Sequence, residues 1–301
     1  MRYLGVAAVL LTALAAAGCA GGEVQYRVAG SWHAASSPAD SLREPMGIEV
    51  DADGFVYVAD ARSARVIKYT GDGRFVHAWG GGGALSRPID VAVGGGLVYV
   101  ADFDLDRVAV FTTGGEFVTA WGSPGDGPGQ FSSLSGITRG PGGRLYVSDF
   151  QNHRIQVFDK DGAILGVLGR EGHEDGQLYY PTDVALDSAG NIYVADAYNH
   201  RVQKWSPEGR PLAVWGRKGN APDEFEVPSG VAVDGRGIVF IADSGNRRMV
   251  VRDPDGALLA VWRLTEDAHP EINSPTRVAA FRNRVYLADP ANGRIILLEK
   301  R

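Results

Sequence analysis

Cysteine is nearly missing from this 301-residue chain, with Cys19 as its sole representative. No disulfide can form within it, so the folded part must be held by packing and hydrogen bonds alone. A basic excess is missing too. Lys and Arg number 30 against 36 Asp and Glu, a formal net charge of −6. The arginines are scattered rather than clustered, which argues against a nucleic-acid-binding face. There is no Gly-x-Ser-x-Gly elbow, no phosphate loop of the Walker type and no cysteine in a nucleophile's setting. Long apolar runs are confined to the first twenty residues.

What the chain does have is glycine, 41 of them, and a repeat. The pattern Tyr-Val-Ala-Asp, four residues, Arg recurs with substitutions, giving the pairs Asp60/Arg65, Asp102/Arg107, Asp149/Arg154, Asp196/Arg201, Asp243/Arg248 and Asp289/Arg294. Successive aspartates are 42, 47, 47, 47 and 46 residues apart. A fixed period in the forties with strand-forming content is the signature of a β-propeller. One such unit cannot bury both its faces, so copies must stack radially.

The copy beginning at Pro181 shows the unit. PTDVAL and NIYVAD are apolar runs, RVQKWS alternates apolar and polar residues, and PLAVWG closes on Gly216; turns of Ser, Ala, Gly, Asn, Pro and Glu separate them. Four such runs read as a four-stranded antiparallel sheet. The first two, apolar on both faces, suit strands covered by neighbouring sheets, while the outer ones suit strands near solvent. The Asp and Arg of each pair flank the turn between the second and third strands. Antiparallel pairing brings them together, and a bidentate carboxylate–guanidinium brace is expected. A catalytic residue is needed once, whereas a brace is needed in every blade, so the pairs are read as structural.

With NHRI at Asn152–Ile155 and NHRV at Asn199–Val202 the unit resembles the NHL repeat, P-x-G-V-A-V-D…G-x-I-Y-V-A-D-x-x-N-x-R-V-x-x-F…G-x-F-x-x-x-W-G. The resemblance covers nearly all of residues 23–301. It departs at Ser63 and Leu105, where Asn is expected, and at Leu134 and Leu168, which replace Pro and Trp. It implies an all-β fold, a six-bladed propeller with blades at about 45–80, 88–122, 134–169, 181–216, 228–262 and 275–301. The last of these has only three strands. The segment 24–32, VQYRVAGSW, matches Arg74–Trp79 in its apolar positions and its Trp. It is expected to supply the missing outer strand of blade 6 and so to close the ring, hiding the edges of an open array. Six units of this length leave no room for a second domain.

Residues 1–18 read as an export signal, with Arg2, the apolar stretch Leu4–Ala17 and a terminal Ala-Ala-Gly before Cys19. The stretch is short and Ala-rich for a membrane-spanning helix. Cys19 stands where a bacterial lipoprotein is cleaved and acylated, and the motif resembles a lipobox, with Ala16 a weaker choice than Leu. The plainer alternative is an ordinary signal ending in a chance cysteine. In a Gram-negative cell, Ala20 rather than Asp resembles sorting to the outer membrane.

Two sets of residues fall on the face where links join the first strands and where second and third strands turn. The residue two after each opening Pro is Gly47, Gly136 and Gly230 in blades 1, 3 and 5, but Asp90, Asp183 and Arg277 in blades 2, 4 and 6. Alternate blades lie about 120° apart, so this triad should converge on the channel mouth. There it would bind a small polar or zwitterionic ligand or a cation; alternatively each member caps backbone N–H groups of a neighbouring loop. The second set is aromatic: Phe103, Phe150, Tyr179, Tyr180 and Tyr198. Such rings on loops suggest a protein or glycan contact, or else they pack beneath the loops.

Two families of six-bladed propellers that carry a channel metal, peptidyl-hydroxyglycine lyases and gluconolactonase-like hydrolases, frame the enzyme alternative. The lyases place three His in the channel. Of the His here, at 33, 77, 153, 173, 200 and 269, none stands at a channel-facing first-strand position, and Arg277 would oppose a cation such as Ca²⁺ beside Asp90 and Asp183. No metal or other cofactor is assigned. The expected function is a monomeric, lipid-anchored module of the cell envelope that binds a protein, peptide or glycan. The alternative is a metal-dependent lyase or lactonase acting at the channel. RNA, bound by eukaryotic relatives, is not expected here given the charge.

Overall fold

In all six repeats the strand that ends in the repeated Asp is buried along most or all of its length: Val56–Asp60, Leu97–Asp102, Leu145–Asp149, Ile192–Asp196, Val239–Asp243 and Arg284–Asp289. These runs are rich in Val, Ile, Tyr and Ala, which fit a pleated surface covered on both faces. The computed structural model describes residues 26–33, 41–263 and 274–300. Within them, six sheets of four antiparallel strands make the ring. Blade 4 is typical, with Pro181–Leu186 innermost, then Ile192–Asp196, Arg201–Trp205 and Pro211–Trp215 at the rim.

The hydrophobic core is divided into six parts, each between two facing sheets. Trp205, Ile192 and Val194 of blade 4 pack on Tyr146, Ile155 and Val157 of blade 3. Ile48, Val58 and Ile67 of blade 1 pack on Tyr286, Ile295 and Leu297 of blade 6. Each fully buried Val, Leu or Phe contributes about 1.5–3 kcal/mol, and every blade collects that burial only from its neighbours.

The ring closes as expected. Tyr26–His33 pairs antiparallel with Arg294–Lys300 as the outermost strand of blade 6. A repeated contact confirms its place. The last aromatic of an outer strand lies over the glycine in the next blade's turn between third and fourth strands: Trp79 on Gly115, Trp121 on Gly162, Trp215 on Gly256, and Trp32 on Gly73. A Cβ at these glycines would run into the indole, and φ is between +88° and +91° at all four, so glycine is required twice over.

The outer strands depart from strict alternation. Phe75 and Val76, Phe117 and Val118, and Ile164 and Leu165 stand exposed side by side, and Leu212 is exposed as well. Blades diverge outward from the axis, so consecutive residues that point to opposite faces near the centre both lose their cover at the rim. Among the described residues no helix is long and apolar enough to cross a membrane. Residues 1–25, with the expected export signal and Cys19, lie outside the described residues.

Candidate functional site

The repeated Asp is the hub of each turn. Asp196 Oδ1 accepts the Tyr179 N–H at 2.7 Å. Its Oδ2 accepts from Asn199 Nδ2 at 2.8 Å, Arg201 Nε at 2.7 Å and Gln203 Nε2 at 3.0 Å. Arg201 does not meet it as a fork. The other guanidinium nitrogens donate to the carbonyls of His173, Glu174 and Gln177 at 2.9, 2.7 and 2.9 Å. The brace therefore ties strand to turn through Nε, and turn to interblade link through the fork, in place of the bidentate pair expected.

The same Nε–Oδ2 contact joins Arg65 to Asp60, Arg154 to Asp149, Arg248 to Asp243 and Arg294 to Asp289, at 3.3, 2.7, 2.7 and 2.8 Å. Asp102 and Arg107 form no ion pair. Asp102 accepts the Ser86 and Arg87 amides at 2.7 and 3.0 Å, and Arg107 donates only to the Ala84 carbonyl at 2.9 Å, leaving its Nε without a partner. The link into blade 2, residues 81–87, is shorter than its counterparts, such as 169–180, and presents fewer carbonyls. Leu105 also supplies no amide there.

The triad of Asp90, Asp183 and Arg277 does converge, but as a plug rather than an open mouth. The three are 4, 4 and 6 % exposed. Arg277 Nε lies 3.5 Å from Asp90 Oδ2 and 3.6 Å from Asp183 Oδ1. Its fork donates to the Ser229 carbonyl at 2.6 Å and the Thr182 carbonyl at 2.7 Å, and reaches Ser135 Oγ at 3.3 Å. Each carboxylate also caps the first strand of the following blade, Asp90 through Ile137 N–H at 2.9 Å and Asp183 through Val231 N–H at 2.8 Å. Ion pairing and capping thus occur together.

The glycines of the alternate blades make room for this plug. A Cβ at Gly136 would sit 2.7 Å from both Cα and Oδ1 of Asp183, and one at Gly47 would sit 2.7 Å from Asp90 Oδ1. Burial pushes the Asp90 carboxyl up to about 8, Arg277 pulling against it and Asp183 adding to it. Asp183 is raised by burial as well, again against the pull of Arg277. One guanidinium cannot neutralise two buried carboxylates, so the pair retains a proton that water would remove.

Beyond the plug, toward the far ends of the first strands, is a cavity of about 190 Å³ lined by Glu49, Thr138, Arg139, Ala185, Ala232 and Ala279 among others. Drug-sized ligands occupy about 300–1,000 Å³, so this space suits waters or a very small molecule. Glu49 was not singled out from sequence. Burial pushes its carboxyl up to about 7, with Asp183 and Asp51 adding to the shift and the Val50 N–H opposing it. Aligning the repeats would have exposed it, because Ala92, Thr138, Ala185, Ala232 and Ala279 hold the equivalent position. Among the described residues no three His, Cys, Asp or Glu side chains come together as a metal site needs.

Four of the five aromatics form one cluster on blades 3 and 4. Phe150 and Tyr180 centroids are 4.9 Å apart, Tyr180 and Tyr198 5.2 Å, Tyr179 and Tyr180 4.7 Å. Tyr198 is 49 % exposed. Phe103 does not join them; it packs on the core between blades 2 and 3 with the Arg87 guanidinium 5.1 Å over its ring. Two histidines complete the cluster. His153 stacks on Tyr179 at 5.2 Å and 6°, and its Nδ1 accepts the Tyr180 N–H at 3.0 Å. Burial holds its imidazole below the usual range. His173 packs against Tyr179 at 5.0 Å. His200 repeats the His153 role one blade on, accepting the Val227 N–H at 3.2 Å. Both histidines belong to the Asn-His-Arg segment shared by blades 3 and 4, and both contacts span 27 residues.

Six four-stranded blades about a plugged axis define a six-bladed β-propeller. Residues 131–158 and 178–205, in blades 3 and 4, match the NHL repeat. No curated protein sequence matches it. Several solved structures are similar in fold. A catalytically inactive virginiamycin B lyase from Staphylococcus aureus, with quinupristin, has a TM-score of 0.64 at 15% identity, over 92% of this chain and 88% of that one. A gluconolactonase from Xanthomonas campestris has 0.66 at 13% identity, over 93% and 90%. A chain of a nidogen/laminin complex has 0.61 at 18% identity, over 79% and 85%. At these identities the likeness is one of fold, shared by enzymes and a binding protein alike.

Proposed function

We propose that the protein is an envelope-anchored binding module whose aromatic cluster on blades 3 and 4 holds a protein, peptide or glycan partner. The observation behind it is Tyr198, about half exposed, at the edge of a cluster that the fold does not need for closure. Exposed, clustered aromatics are where binding energy concentrates. The channel mouth on the same face, by contrast, is filled by Asp90, Asp183 and Arg277. Anchoring is assigned to an acylated Cys19, which tethers without spanning; a Cys19→Ser variant should lose labelled fatty acid and leave the membrane fraction. The partner test is cross-linked capture from envelope preparations by the folded chain. Tyr198→Ala with Phe150→Ala should abolish specific capture at unchanged thermal stability. Unaltered capture would overturn this assignment.

The alternative is an enzyme acting from the opposite end of the channel, where Glu49 supplies a carboxyl poised near neutrality. Virginiamycin B lyase and the gluconolactonase lend this reading their fold and no residues. Lactone-opening activity that disappears in Glu49→Gln would establish it, and its absence from the unaltered chain would remove it.

A further inference from the structure

We infer that the group held by the aromatic cluster is a cationic side chain of a peptide partner, arginine above all. This rests on the binding-module reading. Phe150, Tyr180 and Tyr198 are inclined to one another at 44°, 62° and 71°. No two of them make a common flat surface of the kind a sugar ring stacks on. Tyr198, 49 % exposed, leaves part of its ring open to solvent, and an aromatic face attracts a cation.

The surrounding charge agrees. The link that delivers Tyr179 and Tyr180, Arg170–Tyr180, carries Glu171, Glu174 and Asp175 against the single cation Arg170. Glu171 is near enough to act on the His153 imidazole, and Asp175, 3.8 Å from Arg201 Nη1, still leaves 72% of its side chain exposed. The other nearby cations are already engaged. Arg154 and Arg201 are held by Asp149 and Asp196 and by link carbonyls, Arg217 pairs with Glu224, and Lys218 pairs with Glu226. His153 accepts a hydrogen bond at Nδ1 and burial lowers its imidazole, which disfavours a charge there that would repel a cation.

The experiment compares two labelled peptides, Gly-Arg-Gly-Arg-Gly and its citrulline counterpart, which keeps the planar shape and removes the charge. Fluorescence anisotropy with the folded chain should show the arginine peptide bound at least about tenfold more tightly, less so at high salt. Tyr198→Phe should keep that preference and Tyr198→Leu, at an exposed site and with folding checked by its melting temperature, should lose it. Equal binding of the two peptides, or a preference that survives Tyr198→Leu, overturns the inference while leaving an aromatic contact in place. Binding of neither peptide overturns it too. In that case the envelope capture by Tyr198→Ala and Phe150→Ala decides separately whether the module reading stands.

Discussion

Replacing Arg277 by methionine tests whether the channel plug holds the ring together. The change keeps a long apolar stem and removes the charge, leaving two carboxylates, each 4 % exposed, facing each other. It also removes the guanidinium donors from the Ser229 and Thr182 carbonyls, though Thr182 keeps the Ser135 hydroxyl. Breaking a buried ion pair by removing one partner costs about 3–5 kcal/mol. That is a large share of the roughly 5–15 kcal/mol that stabilises a typical folded domain. The loss must depend on pH. Asp90 is raised in the folded state, so folding takes up a proton wherever the unfolded carboxyl would have released it. Stability from this group is full below the unfolded value of 3.8 and is lost as pH rises toward about 8. Without Arg277 only backbone amides such as the Ile137 N–H oppose burial of Asp90, so the variant should suffer most at about pH 8.5 and less at about pH 5, where a shared proton relieves the carboxylates. Urea unfolding at both pH values measures this, and Asp90→Asn added to Arg277→Met should restore part of the loss at the higher pH. A cost under about 1 kcal/mol at high pH, or an equal cost at both, would refute the buried-plug account.

Three further outcomes follow from the same geometry. Deleting residues 23–33 removes the outer strand of blade 6 and the Trp32 that covers Gly73, Tyr69 and Tyr286; unfolding followed by fluorescence should lose its single sharp transition. Gly136→Ala should destabilise by about 1–3 kcal/mol through overpacking against the Asp183 backbone, whereas Gly166→Ala, with open space around it, should be near neutral in the same assay. Glu49→Gln should leave stability unchanged at about pH 4 and raise it at about pH 8. A carboxyl raised to about 7 weakens the folded state as pH climbs from 4.5 through that value, and the amide does not titrate.

The fold was legible because each blade repeats its own instructions. The period of the Asp/Arg pairs fixed blade number, and the apolar second runs fixed which strand is buried on both sides. The short VQYRVAGSW segment was readable as a fourth strand because its apolar positions and Trp32 match Arg74–Trp79. The structure shows Trp32 on Gly73 as Trp79, Trp121 and Trp215 sit on the equivalent glycines. Side-chain geometry was less legible. The Asp/Arg spacing could not show that Arg201 would spend its fork on link carbonyls, because those carbonyls lie 24 to 28 residues away and follow from the link's path. The missing Asp102–Arg107 pair has the same origin, a shortened link, although Leu105 was already a visible departure.

In a repeat protein the positions that break the repeat carry the individual message, and the structure separates two kinds of break. Asp90, Asp183 and Arg277 depart from the glycine of their own position, yet the departure is answered inside the fold: Gly47 and Gly136 leave room for Asp90 and Asp183, and Gly230 for the backbone at Thr276 and Arg277. Sequence showed the alternation and the convergence. It did not show burial, because the width of a six-bladed neck is set by how closely backbones approach once those glycines are in place. Tyr179, Tyr180 and Tyr198 are breaks of the other kind. Their counterparts in blade 5, Glu226, Val227 and Gly245, and in blade 3, Ser132, Ser133 and Gln151, show that the repeat asks for no aromatic there. Nothing in the neighbouring blades is hollowed to receive Tyr198, which stays half exposed. Tyr198 packs one side on Tyr180 and Phe150, and its exposed part gains free energy only when something outside the chain covers it; that asymmetry is what directs the functional reading to blades 3 and 4 and away from the channel neck.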